Sequence, residues 1–160
     1  VIVLDVTDQA SAFAAVGLGP DSVDVVLMNP PFNDPARHRA SPDKARETAH
    51  LATVGMLESW IGAARRILKS GGVLTLIWRA DGVAEMLAAL DRGFGSLAIL
   101  PVHGIVNMPA IRVLVRAVKG GRAPTQIHAG LVLNDEKSLP NQTLQEIFDG
   151  KGLLPPLANR

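Results

Sequence analysis

The chain contains no cysteine, which excludes disulfides and thiolate-held metals. No apolar run approaches the ~20 residues that a bilayer-spanning helix needs. No basic-then-apolar leader opens the chain. Neither sign of charge dominates: 16 Lys and Arg against 15 Asp and Glu give a formal net charge of +1. No global field therefore demands a nucleic acid, and any contact with one must come from a local basic patch. Nothing has metal-ligand spacing, so no metal is expected. The lack of cysteine fits a reducing cytoplasm, which is the expected location.

What is present is a normal globular composition. Hydrophobic residues make up 48% of the 160 residues, enough for the core of one domain. Val1-Ile2-Val3-Leu4 is a continuous β-branched run and reads as a buried strand ended by Asp5. A chain that opens with Val1 inside such a run carries the expectation that an N-terminal part is missing. Residues 8–17 are Ala-rich and helical in pattern, with Gly17-Leu18-Gly19-Pro20 as the stop. Val23 to Met28 is a second buried strand, ended by Asn29-Pro30-Pro31 because proline cannot donate to a ladder.

A polar loop over residues 33–40 precedes Ser41-Pro42, an N-cap with proline at the first helical position. The helix that follows runs to about Lys69, with Leu57, Trp60, Ile61, Ala64 and Leu68 as its inner stripe and Gly71 as its left-handed stop. Further strands are expected at Val73–Trp78, Leu97–Val102, Ile111–Val118 and Leu131–Leu133, with helices at Val83–Leu90 and Gln142–Phe148. Strands alternating with helices give an α/β fold, a mostly parallel sheet flanked by helices, in a single domain over residues 1–160. Ligands bind such sheets beyond the carboxyl ends of the strands, where both Asp5 and Asn29 fall.

The stretch Asn29-Pro30-Pro31-Phe32 carries the chemistry. Two prolines fix φ and remove two N–H donors while leaving their carbonyls free to accept. Asn29 adds a side-chain acceptor and an NH₂ donor, and Phe32 adds a flat apolar face. A planar substrate bearing an amino group suits this arrangement: its hydrogens bond Asn29 and the Pro30 carbonyl while its ring stacks on Phe32. Such bonding pulls the nitrogen toward tetrahedral geometry and sharpens its lone pair. The competing reading is a plain proline turn. The strand before the loop and the long helix after it argue against that.

Asn29-Pro30-Pro31-Phe32 resembles the (Asn/Asp/Ser)-Pro-Pro-(Tyr/Phe) loop of class I S-adenosylmethionine-dependent methyltransferases that act on adenine N6, guanine N2 or the glutamine amide. Leu68-Lys69-Ser70-Gly71-Gly72-Val73-Leu74 looks like the helix–glycine–strand passage that follows the loop in these enzymes. The segment from Ile111 to Gly120 resembles the closing strand of the bacterial tRNA adenine-N6 branch, which modifies valine tRNA beside the anticodon. The resemblance implies a Rossmann-like fold, of which this chain is the C-terminal portion, and S-adenosylmethionine as cofactor. It implies that Asp5 contacts the cofactor's adenine amino group and Val6 lies near the adenine ring. Met28 and Asn29 then border the methionine part and the sulfonium. Because a sulfonium is a good leaving group, catalysis is mostly positioning and no strong base is required.

The family's glycine-rich cofactor loop has no counterpart here, since Gly17-Leu18-Gly19 follows a helix. The chain alone is therefore expected to bind cofactor poorly. Without the family's first two strands, Val1–Leu4 loses its usual neighbours or moves in beside Val23–Met28.

Around the loop, Arg37, Arg39 and Lys44, with His38 and Arg46, form a basic cluster. Its two readings are a solvated loop and a phosphate-contacting surface for substrate RNA. The resemblance also implies RNA contact by Arg112 and Lys119. Asp5 has a plainer reading as a helix cap, and Trp60 and Trp78 read as packing residues. The leading function is transfer of a methyl group to adenine N6 in tRNA. The alternatives are guanine N2 in rRNA, a protein glutamine amide, and a cofactor-free remnant that binds RNA.

Overall fold

The computed structural model describes residues 1–31, 44–135 and 139–152. Phe32, Arg37, Arg39 and the Ser41-Pro42 cap lie outside the described residues, as does the side chain of Lys44. The elements in chain order are α1 (Ala10–Ala15), β1 (Val23–Met28), α2 (Lys44–Ile67), β2 (Leu68–Arg79), α3 (Val83–Leu90), β3 (Phe94–Ile105), β4 (Ala110–Lys119), β5 (Gln126–Ile127), β6 (Leu131–Asn134) and α4 (Gln142–Phe148). A single 3-10 turn, Ala80–Gly82, leads into α3.

The six strands form one sheet in the order β1-β2-β4-β3-β5, with β6 also paired to β3. β1 runs parallel to β2, while β4 is antiparallel to both β2 and β3. β5 and β6 are parallel to β3. Tracing these directions leaves β4 as the one reversed strand of the six, so the sheet is mostly parallel, as expected. β4 enters by a hairpin whose loop, 106–109, holds Asn107 at φ +60°, a left-handed position that asparagine tolerates.

Strand periodicity divides the sheet into two faces. On one face Leu74, Leu76 and Trp78 of β2 pair directly with Ala117, Val115 and Val113 of β4, and all six are buried. Leu57, Ile61 and Ala64 of α2 and Met86, Ala89 and Leu90 of α3 cover that face. The expected α2 stripe is therefore the one that packs. Trp60 lies half-buried at its margin and Leu68 is fully buried at the start of β2. Each large apolar side chain buried here contributes roughly 1.5–3 kcal/mol.

The α2–β2 junction explains the glycine pair. Gly71 sits at φ +77°, and a Cβ on Gly72 would lie 2.8 Å from the Lys69 carbonyl oxygen and 3.2 Å from that of Asp24. Only glycine lets the chain leave the helix and pass this close to β1. Nearby, the Lys119 ammonium donates to Asp21 Oδ1 at 2.8 Å and to the Leu68 carbonyl at 2.6 Å. This ties the entry of β1 to the end of β4.

The strand expected at Val1–Leu4 does not form. These residues join no ladder, and Val1, Ile2 and Val3 are exposed. A β-branched run becomes a strand only where a partner edge accepts it. Nor does the run move in beside β1, which pairs with β2 alone.

Candidate functional site

β1 ends at Met28, which is buried, and the next residue, Asn29, is exposed. Pro30 is fully buried and Pro31 is exposed. The burial of Pro30 anchors the loop without leaving an unsatisfied donor, since proline has no N–H. Asn29 is thereby presented at the carboxyl end of β1, the side on which parallel sheets bind ligands.

An open groove of about 330 Å³ begins at Asn29. Leu27, Met28, Thr75, Leu76, Ile77 and Leu114 form the rest of its lining. Register explains the set. Leu27 pairs with Thr75, Met28 with Leu76, and Ile77 with Leu114. Leu27, Thr75, Ile77 and Leu114 thus lie on the second face of the sheet, away from α2 and α3, whereas Met28 and Leu76 belong to the buried core face. No lining residue carries a group that titrates near neutrality; the polar side chains are the Asn29 amide and the Thr75 hydroxyl.

Asp5 and Val6 lie elsewhere. Asp5 Oδ1 accepts the Thr7 amide at 2.8 Å and the Thr7 hydroxyl at 2.7 Å. The hydroxyl, and then the amide, hold the Asp5 carboxyl below its ordinary range. The plain capping reading fails, because the N-cap of α1 is Gln9, with no side-chain hydrogen bond. Val6 lines a separate concavity of about 520 Å³ with Thr7, Asp8, Ser59, Gly62, Ala63, Arg65 and Arg66. The structure therefore brings Met28 and Asn29 together in one groove and puts Val6 in another.

The remaining sequence candidates separate cleanly. Trp78 is fully buried in the core. His103, outside those candidates, has Nδ1 2.7 Å from the Met108 carbonyl and braces the β3–β4 hairpin. Arg112 and Lys119 sit near opposite ends of β4; Lys119 is committed to Asp21 and Leu68. Among the described residues no group of three or more His, Cys, Asp and Glu is arranged to hold a metal ion. No helix among them is long and apolar enough to cross a membrane. Sequence reasoning missed Thr75, Ile77 and Leu114. Their half-buried positions alternate with fully buried ones in β2 and β4, but in sequence Thr75 alone interrupts the apolar run Val73–Trp78.

This architecture is found in solved structures. A predicted O-methyltransferase from Agrobacterium tumefaciens is 32% identical, with a TM-score of 0.72 over 94% of this chain. The chain shares the mixed α/β fold of Rossmann-like methyltransferases. It spans 62% of the length of the Agrobacterium protein. A protein from Thermus thermophilus, provisionally described as a DNA modification methylase, is 20% identical, with a TM-score of 0.52 over 78% of this chain and 56% of its own. No family model matches the chain, and no curated protein matches it.

Proposed function

We propose that this chain is the C-terminal part of an S-adenosylmethionine-dependent methyltransferase that acts on an exocyclic amino nitrogen, with adenine N6 in tRNA as the leading acceptor. The observation that carries the reading is the presentation of Asn29 by a buried Met28 and a buried Pro30 at the mouth of an apolar groove, on a fold shared with methyltransferases.

The residues present fit part of the cofactor. The apolar groove beside Met28 and Asn29 suits the methyl-bearing end, while Asp5 and Val6 stand apart from it. When bound, the cofactor supplies an electrophilic methyl group on a sulfonium. The exposed Asn29 side-chain oxygen accepts an amino hydrogen of the acceptor and aims its lone pair, while Pro30, buried and outside the groove lining, is assigned to holding the loop. The acceptor nitrogen, held by Asn29, would take that methyl group and release one proton to solvent. Phe32, next in sequence, is assigned the stacking face, and Arg37, Arg39 and Lys44 are assigned phosphate contacts.

Nitrogen is preferred over oxygen for a stated reason. A hydroxyl acceptor needs a base to remove its proton, and the groove lining described holds none. A neutral amine needs none before attack. The test is transfer of a tritiated methyl group, by the chain restored to full length, to total tRNA, total rRNA and a protein extract, followed by nucleoside and amino-acid analysis. Label in N6-methyladenosine from tRNA supports the reading. Label in N2-methylguanosine from rRNA, or in protein, moves the acceptor. No label overturns the enzyme reading and favours an RNA-binding remnant.

A further inference from the structure

The β3–β4 hairpin ends in an apolar tip. Ile105 closes β3, Met108 sits in the turn and Ile111 is second in β4; they are 36%, 57% and 48% exposed. Single exposed apolar residues are ordinary, whereas a group on one projecting element marks a contact site. The tip is also held in place. The Met108 amide donates to the Ile105 carbonyl at 3.3 Å, and His103 Nδ1 braces the Met108 carbonyl. Asn134 Nδ2 of β6 donates to the Gly104 carbonyl at 2.8 Å, and Arg112 Nη1 donates to the Ile111 carbonyl at 2.9 Å. Ile111 reaches over Gly104, where a Cβ would lie 3.4 Å from its Cδ1. Side chains from β3, β4 and β6 thus fix the backbone while the apolar groups face water, which lowers the ordering cost of binding.

Topology sets this tip on the side of Asn29. β3 runs in the same direction as β1, so the hairpin springs from the end of the sheet at which β1 presents Asn29. Met28 pairs with Leu76, Leu76 with Val115 and Val115 with Ile99. Counting on from that rung and across three strand spacings puts Ile105 roughly 20 Å from Asn29. β2 and β4 stand between the hairpin and the free edge of β1, so strands added at that edge do not reach the tip. Residues 92–134, which include both strands of the hairpin, hold five Lys and Arg and no Asp or Glu. The carboxylates that follow β2 and β6, Asp81 and Asp135, are engaged by Arg79 Nε and the Leu139 amide. The charge around the tip thus favours a polyanion over an acidic partner.

We infer that Ile105, Met108 and Ile111 are a contact point for a polynucleotide substrate, gripping nucleotides away from the one that is methylated. The inference rests on the methyl-transfer reading and deepens it, because a substrate held roughly 20 Å from Asn29 is a polymer rather than a free nucleoside. The thioether and the two isoleucines rest on base faces and ribose edges, which are apolar and tolerate any sequence. The contact supplies affinity and aligns the strand, and it touches no reacting atom.

The experiment is filter binding by the full-length enzyme of end-labelled total tRNA and, separately, total rRNA from cells lacking the enzyme, over a salt series. Met108→Ser and Ile111→Thr should each weaken tRNA binding about three- to tenfold. The slope of log affinity against log salt should stay the same, because no phosphate contact is lost. Met108→Leu should bind as the parent does, and so should Ile127→Thr, which alters a more exposed apolar residue on β5. A loss confined to rRNA supports the contact and moves the acceptor. Unchanged affinity for both RNAs in folded Met108→Ser and Ile111→Thr overturns the inference, as does an equal loss in Ile127→Thr. With p-benzoylphenylalanine in place of Met108, irradiation in a mixture of these RNAs and a protein extract should give crosslinks to RNA; crosslinks to protein alone, or none, overturn the inference. The two readings also fail separately. Methyl label on RNA with binding indifferent to the tip sinks the contact alone. Binding that depends on the tip, with no label on any nucleic acid, supports the contact and sinks the methyl-transfer reading.

Discussion

β1 and β2 are hydrogen-bonded neighbours built from similar apolar residues, yet they are supported very differently. From Gly72 to Trp78 every second residue of β2 is buried, held between β1 and β4 and covered by α2 and α3. β1 buries Met28 but leaves Val25 58% and Leu27 76% exposed. It has one ladder partner in the described sheet. The strand that presents the candidate catalytic loop is thus the less supported of the two. Stability resides in β2, β4 and the helices over them, while the chemistry is assigned to a strand held by one ladder and by the ion pairs of Lys69 with Asp24 and Lys119 with Asp21.

The largest effect that would break this comparison is in the core. Leu76→Ala should destabilise the fold by about 2–5 kcal/mol, because Leu76 is 1% exposed in the central cluster. Leu27→Ala, one step away across the ladder, should cost under about 1 kcal/mol. Urea unfolding of both variants checks this, and equal losses would show that β1 is as well packed as β2. Next in size is Lys119→Met. It removes a 2.6 Å hydrogen bond to the Leu68 carbonyl and the Asp21 ion pair, and should cost about 1–2 kcal/mol after discounting solvent exposure. Hydrogen exchange should rise most in β1, and a uniform rise would contradict the tie.

The smallest effect concerns Asp5. Its carboxyl is held below the ordinary range by Thr7, so its turn is favoured above the unfolded-state value and lost as pH falls through the lowered folded one. An NMR titration of the Asp5 carboxyl and the Thr7 amide should report the two moving together at that depressed pH. An ordinary carboxylate midpoint would remove the turn from the account.

Much of the fold was legible because its signals are local. Val23–Met28, Val83–Leu90 and Gln142–Phe148 form with the bounds the patterns suggest. So does the inner stripe of α2 around Leu57, Ile61 and Ala64. Val1–Leu4 misled because strand character requires a partner edge, which composition does not encode. β2 and β3 run longer than expected, since their ends carry Lys69, Ser70 and Gly71 or the Gly95-Ser96 bulge and lack a continuous apolar run. β5, two residues long, gave no periodic signal. At the site, Asn29 and its prolines stand out in one dimension. The groove floor does not, because Thr75, Ile77 and Leu114 meet only through register. The separation of Val6 from Met28 and Asn29 is likewise a matter of tertiary placement.

The most direct test of the central claim is methyl transfer by Asn29→Ala in the full-length enzyme, measured with its unfolding curve. Asn29 is exposed at the end of an edge strand, so stability should change by less than about 0.5 kcal/mol. Cofactor affinity should remain largely intact. Transfer should fall by roughly 10²–10³ or more, as for loss of an oriented hydrogen-bonding group in a catalytic site. A variant that folds like the parent and still transfers methyl groups at the parental rate would contradict the account.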